Sequence, residues 1–338
     1  MDKRYTHAKN QREPYPQARN LGQNIGDLMT TPPLLTIGTR TSPLALAQTR
    51  EATARLAAAD PGLAAPDAFM ISKIQTTGDR IQGRHLAEFG GKGLFAKELD
   101  TALLDGHIDL AVHSLKDLET RLPAGITLAA CLEREDPRDT LIGAGLRGLD
   151  DLPKGALVGT ASLRRQAQLL HRRPDIQITL LRGNIQTRMR KIREGEADAT
   201  FLALAGLTRL GVGHQAACIL SPEEFLPACG QGVIGVTCRT EDSRVRAWLE
   251  RINHAETMSR VFAERAMLEK LDGTCRTPIG GLAALSEDGK LTLHGLVARP
   301  DGSALFRGEL AGASNDAHAL GRELGDRLRR DAGDNLFQ

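Results

Sequence analysis

Lys116 and Asp117 stand side by side where an apolar run ends, in the stretch 108–118, IDLAVHSLKDL. A cation beside a carboxylate there would stand at the rim of a cleft. The residues ahead of the pair indicate why it would line a cleft. Ile108, Leu110, Ala111 and Val112 follow a turn at Asp105-Gly106 and have the pattern of a buried strand in a parallel sheet. Such sheets bind ligands at the carboxyl ends of their strands. The plain alternative is a solvated ion pair, which is common on surfaces and contributes little.

The chain carries an internal control. Residues 109–118 align without gaps to 198–207, matching Asp109 with Asp198, Leu115 with Leu204 and Leu118 with Leu207. Each copy follows a glycine turn, Gly106 or Gly195, and Ile37-Gly38-Thr39 matches Val158-Gly159-Thr160 in the same way. This predicts one α/β unit present twice. Where the first copy has Lys116-Asp117, the second has Ala205-Gly206. The fold does without the charged pair there, which points to chemistry in the first copy.

Basic residues gather at predicted helix starts. Arg40 precedes Ser42, a good N-cap, and Pro43, suited to the first helical position. Ser162 is a second cap, with Arg164 and Arg165 in the first turn, where the helix dipole opposes cations. Local rules are broken in this way where binding outweighs stability, or on a surface tuned for solubility. A third strand-to-helix turn carries Arg182 and Arg188, whereas Arg172, Arg173, Lys191 and Arg193 fall toward helix ends, where cations are ordinary. Between residues 160 and 210 ten Arg or Lys face four acids, so a chain of net charge +2 concentrates its positive charge there. Such a patch suits an anionic ligand. Aromatic residues make up only 3%, too few for base-stacking platforms, which argues against nucleic acid.

Two α/β lobes joined by two crossings, with a small C-terminal domain, would organise these residues. The predicted division is a tail at 1–33, a first lobe at 34–135 and 230–252, a second at 136–229 and a third domain at 255–338. The tail is polar and Pro-containing, without the apolar core of a signal peptide. The stretch 76–93, rich in glycine and holding Lys92, reads as a functional loop. Gly230-Gln-Gly232 opens an apolar strand expected to return to the first lobe. No run approaches a membrane span. Five cysteines in no metal or disulfide spacing suit a reducing compartment. Cys275 sits on a Gly- and Pro-bounded loop beside Arg276. A nucleophilic thiol and a buried, inert one are both open on this reading.

The motifs GTRTSPLALAQ (38–48), GGKGLFAKEL (90–99), AVHSLKD (111–117), EREDPRD (133–139), GTASLRRQ (159–166), LRGNIQTR (181–188), GQG (230–232) and DGTCRTPIG (272–280) stand in one order. Together they resemble the porphobilinogen deaminase family over about residues 34 to 338. The resemblance implies lobes of the type II periplasmic-binding-protein kind and a small α+β domain. It implies a dipyrromethane cofactor on Cys275 through a thioether, and head-to-tail joining of four porphobilinogen molecules with loss of ammonia. Water then releases linear hydroxymethylbilane. It further implies Asp117 as the catalytic carboxylate and Phe95 packing on pyrroles. Carboxylates would be held by Arg40, Arg164, Arg165, Arg182, Arg188 and Arg209, with Ser42, Lys92, Ser114, Lys116, Thr160, Ser162 and Gln231 close by. A cytoplasmic monomer without membrane or nucleic-acid partners is expected. Two positions depart from the family pattern: Glu88, where many relatives are basic, and Glu119, where proline is frequent. The alternative is a non-catalytic anion-binding protein of the periplasmic-binding type, against which the Cys275 loop and the missing export signal count.

Overall fold

The computed structural model describes residues 34–80, 94–271, 277–333 and 336. The first lobe runs β1 (Leu35–Arg40), α1 (Pro43–Ala59), β2 (Phe69–Ile74), α2 (Thr77–Arg80), α3 (Lys97–Leu104), β3 (Leu110–Ser114) and β4 (Ile126–Cys131). The second runs β5 (Asp139–Ile142), β6 (Leu157–Gly159), α4 (Leu163–Arg172), β7 (Gln177–Thr179), α5 (Ile185–Arg193), β8 (Ala199–Ala203), α6 (Leu204–Arg209) and β9 (Cys218–Ile219). The chain then returns to the first lobe with β10 (Ile234–Arg239) and α7 (Ser243–Ile252). The C-terminal domain comprises α8 (Ala255–Lys270), β11 (Ile279–Leu285), β12 (Lys290–Ala298), β13 (Leu305–Ala313) and α9 (Ala317–Ala332).

The lobes share one plan. Their sheets are ordered β2-β1-β3-β10-β4 and β7-β6-β8-β5-β9. In each, three parallel strands are followed by an antiparallel one, β10 or β5. This is the expected pair of similar α/β lobes. The internal alignment also survives at the level of register. Ile37 and Gly38 pair with Leu110 and Ala111, and the matched Val158 and Gly159 pair with Ala199 and Thr200. Asp109 accepts from the Thr36 amide at 2.8 Å and Asp198 from the Leu157 amide at 2.7 Å. One sequence difference limits the reading of β3. Its neighbour β10 is antiparallel, which the apolar run of β3 could not reveal, since a strand buried on both faces is apolar whichever way its partner runs.

Helix starts follow from the caps. Ser42 accepts from the Ala45 amide, Ser162 from Arg165 and Asn184 from Thr187, so α1, α4 and α5 each begin just after a strand ends. Their N-termini therefore lie at the carboxyl edges of the two sheets.

Apolar clusters hold the pieces together. Leu35, Ile37, Leu110, Val112, Ile234 and Val236 centre the first lobe, and Leu141, Val158, Leu169, Phe201 and Phe225 the second. The C-terminal domain packs on both, through Leu115 and Leu118 against Met258 and Val261, and through Ala167 and Leu226 against Leu296 and Ala298. Glu264 of α8, fully buried, binds Arg134 of the first crossing and accepts from the Gly230 amide of the second at 2.6 Å.

Candidate active site

Asp117 closes a single 3-10 turn, Leu115–Asp117, directly after β3. Its side chain is 37% exposed, and Arg40 Nη1 lies 3.7 Å from Oδ2. That is a loose pairing, and the tighter partner of Arg40 is Asp79, which binds Nε and Nη2. Phe95 stacks on the same guanidinium, 4.4 Å from ring centroid to carbon. Burial would weaken the Arg40 cation, but the hydrogen bond to Asp79 and the charges of Asp117 and Asp79 raise its pKa overall. Asp79 was not among the expected residues. Strand register could have found it: Arg40 pairs with Ile74, so residues just beyond β2 fall beside Arg40. Gly78 lets the Phe95 ring in, since a Cβ there would come within 2.3 Å of it.

The partner of Lys116 is Gln231, whose Oε1 accepts from Nζ at 3.1 Å. Gln231 Nε2 in turn donates to Pro137 O at 2.7 Å and to Asp139 Oδ1 at 3.0 Å. Asp139, the first residue of β5, is fully buried between two arginines. Arg164 Nη2 lies 2.8 Å from one of its oxygens and Arg165 Nη2 2.7 Å from the other. The backbone carbonyls of Leu226 and Phe201 accept from Arg164 Nη1 and Arg165 Nη1. Burial alone would raise the Asp139 pKa, yet the two guanidinium charges hold it well below the usual carboxylate range. This explains two cations in the first turn of α4: a buried carboxylate answers them. In the sequence Asp139 only closes the motif EREDPRD (133–139), with no role of its own.

Other expected residues have local tasks. Ser42 and Ser162 are engaged as helix caps, and Thr160 Oγ1 accepts from the Ser162 amide at 3.1 Å. Ser114 Oγ donates to Gln48 Oε1 at 2.9 Å. Arg182 is half-buried ahead of α5, which lowers its pKa. Arg209 pairs with Glu51 of α1 at 3.0 Å. His113 is buried against Thr237, and burial, then the Arg40 charge, push its pKa down to about 4. Lys92, Cys275 and the departure at Glu88 lie outside the described residues, as do the tail and loop positions 81–93.

Electrostatics bring residues of both lobes together. Lys116 feels Arg165, Asp117, Asp139 and Arg164, and Arg188 feels Arg165, Asp117 and Asp139. Burial, then the Arg165 charge, lower Lys116 to about 8 and Arg188 to about 10. No described residue hydrogen-bonds the sealed Nε of Arg188, and the Nε of Arg165 is likewise sealed and unpartnered. Among the described residues, this group of side chains carries more positive charge than its carboxylates answer.

Residues 35–247 match the family model described as porphobilinogen deaminase, dipyromethane cofactor binding domain, and 258–330 match porphobilinogen deaminase, C-terminal domain. The chain belongs to the porphobilinogen deaminase family. The porphobilinogen deaminase of Nitrobacter winogradskyi is 51% identical over 304 residues, covering 90% of this chain and 95% of that one. That of Paracoccus denitrificans is 50% identical over 301 residues, covering 89% and 95%. The chloroplastic porphobilinogen deaminase of Oryza sativa is 47% identical over 306 residues, covering 90% and 86%. These relatives are named as enzymes, which disfavours the non-catalytic anion-binding reading. Among the described residues no helix is long and apolar enough to cross a membrane.

The porphobilinogen deaminase cofactor fits this donor set. Dipyrromethane is built from pyrroles that carry carboxylates, and the sealed, unpartnered nitrogens of Arg165 and Arg188 are donors suited to carboxylate oxygens. Lys116 adds a cation whose lowered pKa a nearby carboxylate would restore.

Proposed function

We propose that the chain is a transferase of tetrapyrrole biosynthesis that deaminates four porphobilinogen molecules and joins them head to tail. The product released by water is the linear hydroxymethylbilane. The observation that carries this reading is the half-exposed Asp117 carboxylate beside the under-compensated cations Lys116 and Arg188. When bound, the dipyrromethane supplies the free pyrrole end to which the first substrate is joined, and Cys275 is the proposed attachment point.

Asp117 faces the cation formed as ammonia leaves, and a fixed negative charge there lowers that barrier without reorganisation. Arg40 holds Asp117 at arm's length while Asp79 and Phe95 hold Arg40. Phe95 also offers a face for pyrrole packing. Lys116, Arg188 and the Arg164–Arg165 pair bind and orient carboxylates, with Arg182, Arg209 and Lys92 serving a longer chain. Ser42, Ser114, Thr160, Ser162 and Gln231 fix the helix starts and side chains around them. The division into a first lobe (34–135 and 230–252), a second (136–229) and a cofactor-bearing domain (255–338) is part of this proposal. So are a monomeric state, a cytoplasmic setting and the absence of nucleic-acid partners.

Intact mass spectrometry of the purified protein tests it. The expected mass exceeds the sequence by two linked pyrrole units on the peptide containing Cys275, and Cys275→Ala removes both the added mass and the turnover of porphobilinogen. An unmodified protein with full activity would refute the assignment.

A further inference from the structure

Arg209, the last residue of α6, reaches from the second lobe to the first. Its Nε donates to Glu51 of α1 at 3.0 Å and its Nη2 to the Gly232 carbonyl at 3.1 Å. The Glu135 amide donates to that same carbonyl at 3.2 Å, so Gly232 O ties the two crossings together. Among the described residues, the Glu51 pair is the only salt bridge running directly between the two lobes. Beside it, Leu44 of α1 packs on the second-lobe cluster of Ile185, Met189 and Leu207.

The two contacts of Arg209 differ in what a hinge motion does to them. Gly232 belongs to a crossing, near any axis about which the lobes rotate, so that bond persists. Glu51 lies off the axis on α1, so opening stretches its bond. A released Glu51 is not left alone, since Arg55 lies one turn along the same helix with Nη2 3.9 Å away. Arg55 also stands 3.7 Å from Glu133 at the first crossing. Glu51 thus has two partners, one in each lobe.

We propose that Glu51 is a positioning residue for chain growth: it latches the lobes through Arg209, and a pyrrole carboxylate opens the latch by taking its place on that guanidinium. The inference rests on the proposed role of Arg209 in carboxylate binding. Exchange of one carboxylate for another keeps the buried guanidinium paired throughout, which makes the exchange facile. It also couples arrival of substrate to loosening of the interlobe seam, as a cleft that must accommodate a lengthening chain requires.

The test uses the cofactor-bearing protein, its Glu51→Gln and Glu51→Asp variants, and porphobilinogen as the probe. Turnover by the unaltered protein is measured first; its absence would sink the functional reading, separately from the latch. With turnover present, Glu51→Gln removes the competing charge and is expected to lower KM about 2- to 5-fold, the scale of a part-exposed pair. Amide exchange across α1 and α6 should quicken. Glu51→Asp keeps the charge and is expected to return KM toward the original value. An unchanged or raised KM in Glu51→Gln overturns the latch, because a mere brace loosens the cleft when lost. So does a Glu51→Asp variant whose KM equals that of Glu51→Gln.

Discussion

The ends of β3 and β8 occupy matched places in the two lobes and treat charge in opposite ways. In the first lobe the strand continues into Leu115, Lys116 and Asp117, and the facing strand β10 offers the apolar Ile234. In the second it continues into Leu204, Ala205 and Gly206, and the carboxylate sits on the facing strand, where Asp139 pairs with Ala203. Asp139 is fully buried and answered by two arginines, while Asp117 is 37% exposed with one cation at 3.7 Å. Among the described residues, one scaffold thus holds a carboxylate locked between two buried arginines and another with a single loose cation beside it. Incomplete pairing is what a group reserved for a transient cation requires.

Removing each carboxylate should therefore fail differently. Asp139→Asn leaves Arg164 and Arg165 buried without an anion, and breaking a buried pair costs about 3–5 kcal/mol. Denaturant unfolding is expected to show that loss, with the midpoint falling and the slope unchanged. A variant as stable as the original would mean that the two arginines do not depend on Asp139, and the contrast between the lobes would collapse.

Asp117→Asn should leave unfolding unaltered and lower turnover of porphobilinogen by about 10²–10³-fold, the usual effect of removing one well-placed electrostatic group. Asp117→Glu keeps the charge at a shifted position and is expected to retain part of the activity. If Asp117→Asn turned over normally, Asp117 would be an ordinary ion-pair residue.

The converse substitution sharpens the comparison from the other side. Gly206 has no spare room: a Cβ there would lie 2.9 Å from Ile185 Cδ1 and 3.5 Å from Leu44 Cδ2. Gly206→Asp must displace that packing and bury a charge in an apolar cluster, costing at least about 2–3 kcal/mol. Thermal unfolding measures it. Full stability would show that the second lobe could have carried the carboxylate and that its absence has no packing cause.

Much of this contrast is legible in the sequence. The alignment of 109–118 with 198–207 anticipated the shared register, because period and turn spacing follow from the strand itself. Caps at Ser42 and Ser162 were legible for the same local reason. Asp139 and Asp79 were not, since both sit among polar and charged neighbours and their importance arises from partners far away in sequence. Arg164 is 25 positions and Arg165 26 from Asp139, and Asp79 is 39 from Arg40. Pairing across such separations is written in the fold rather than in any window of sequence.

The smallest expected effect concerns Lys116, the other member of the pair that the second lobe lacks. Burial, then the Arg165 charge, lower it to about 8 from the ordinary lysine value of 10.5. The cation that holds a carboxylate is thus intact below pH 8 and fades above it. A bound carboxylate favours the protonated form, so binding above pH 8 must take up a proton, and KM should rise by at most about tenfold per pH unit. Stability has the opposite sign. Between pH 8 and 10.5 the unfolded chain keeps the proton that the folded chain has released, so the Lys116 contribution favours folding more as pH rises. Lys116→Met isolates both trends: its KM should start high and lose this pH dependence, and its stability should no longer gain through this interval relative to the original. A KM that climbs equally steeply in Lys116→Met would assign the titration to another group and leave Asp117 as the only member of the pair that distinguishes the two strand ends.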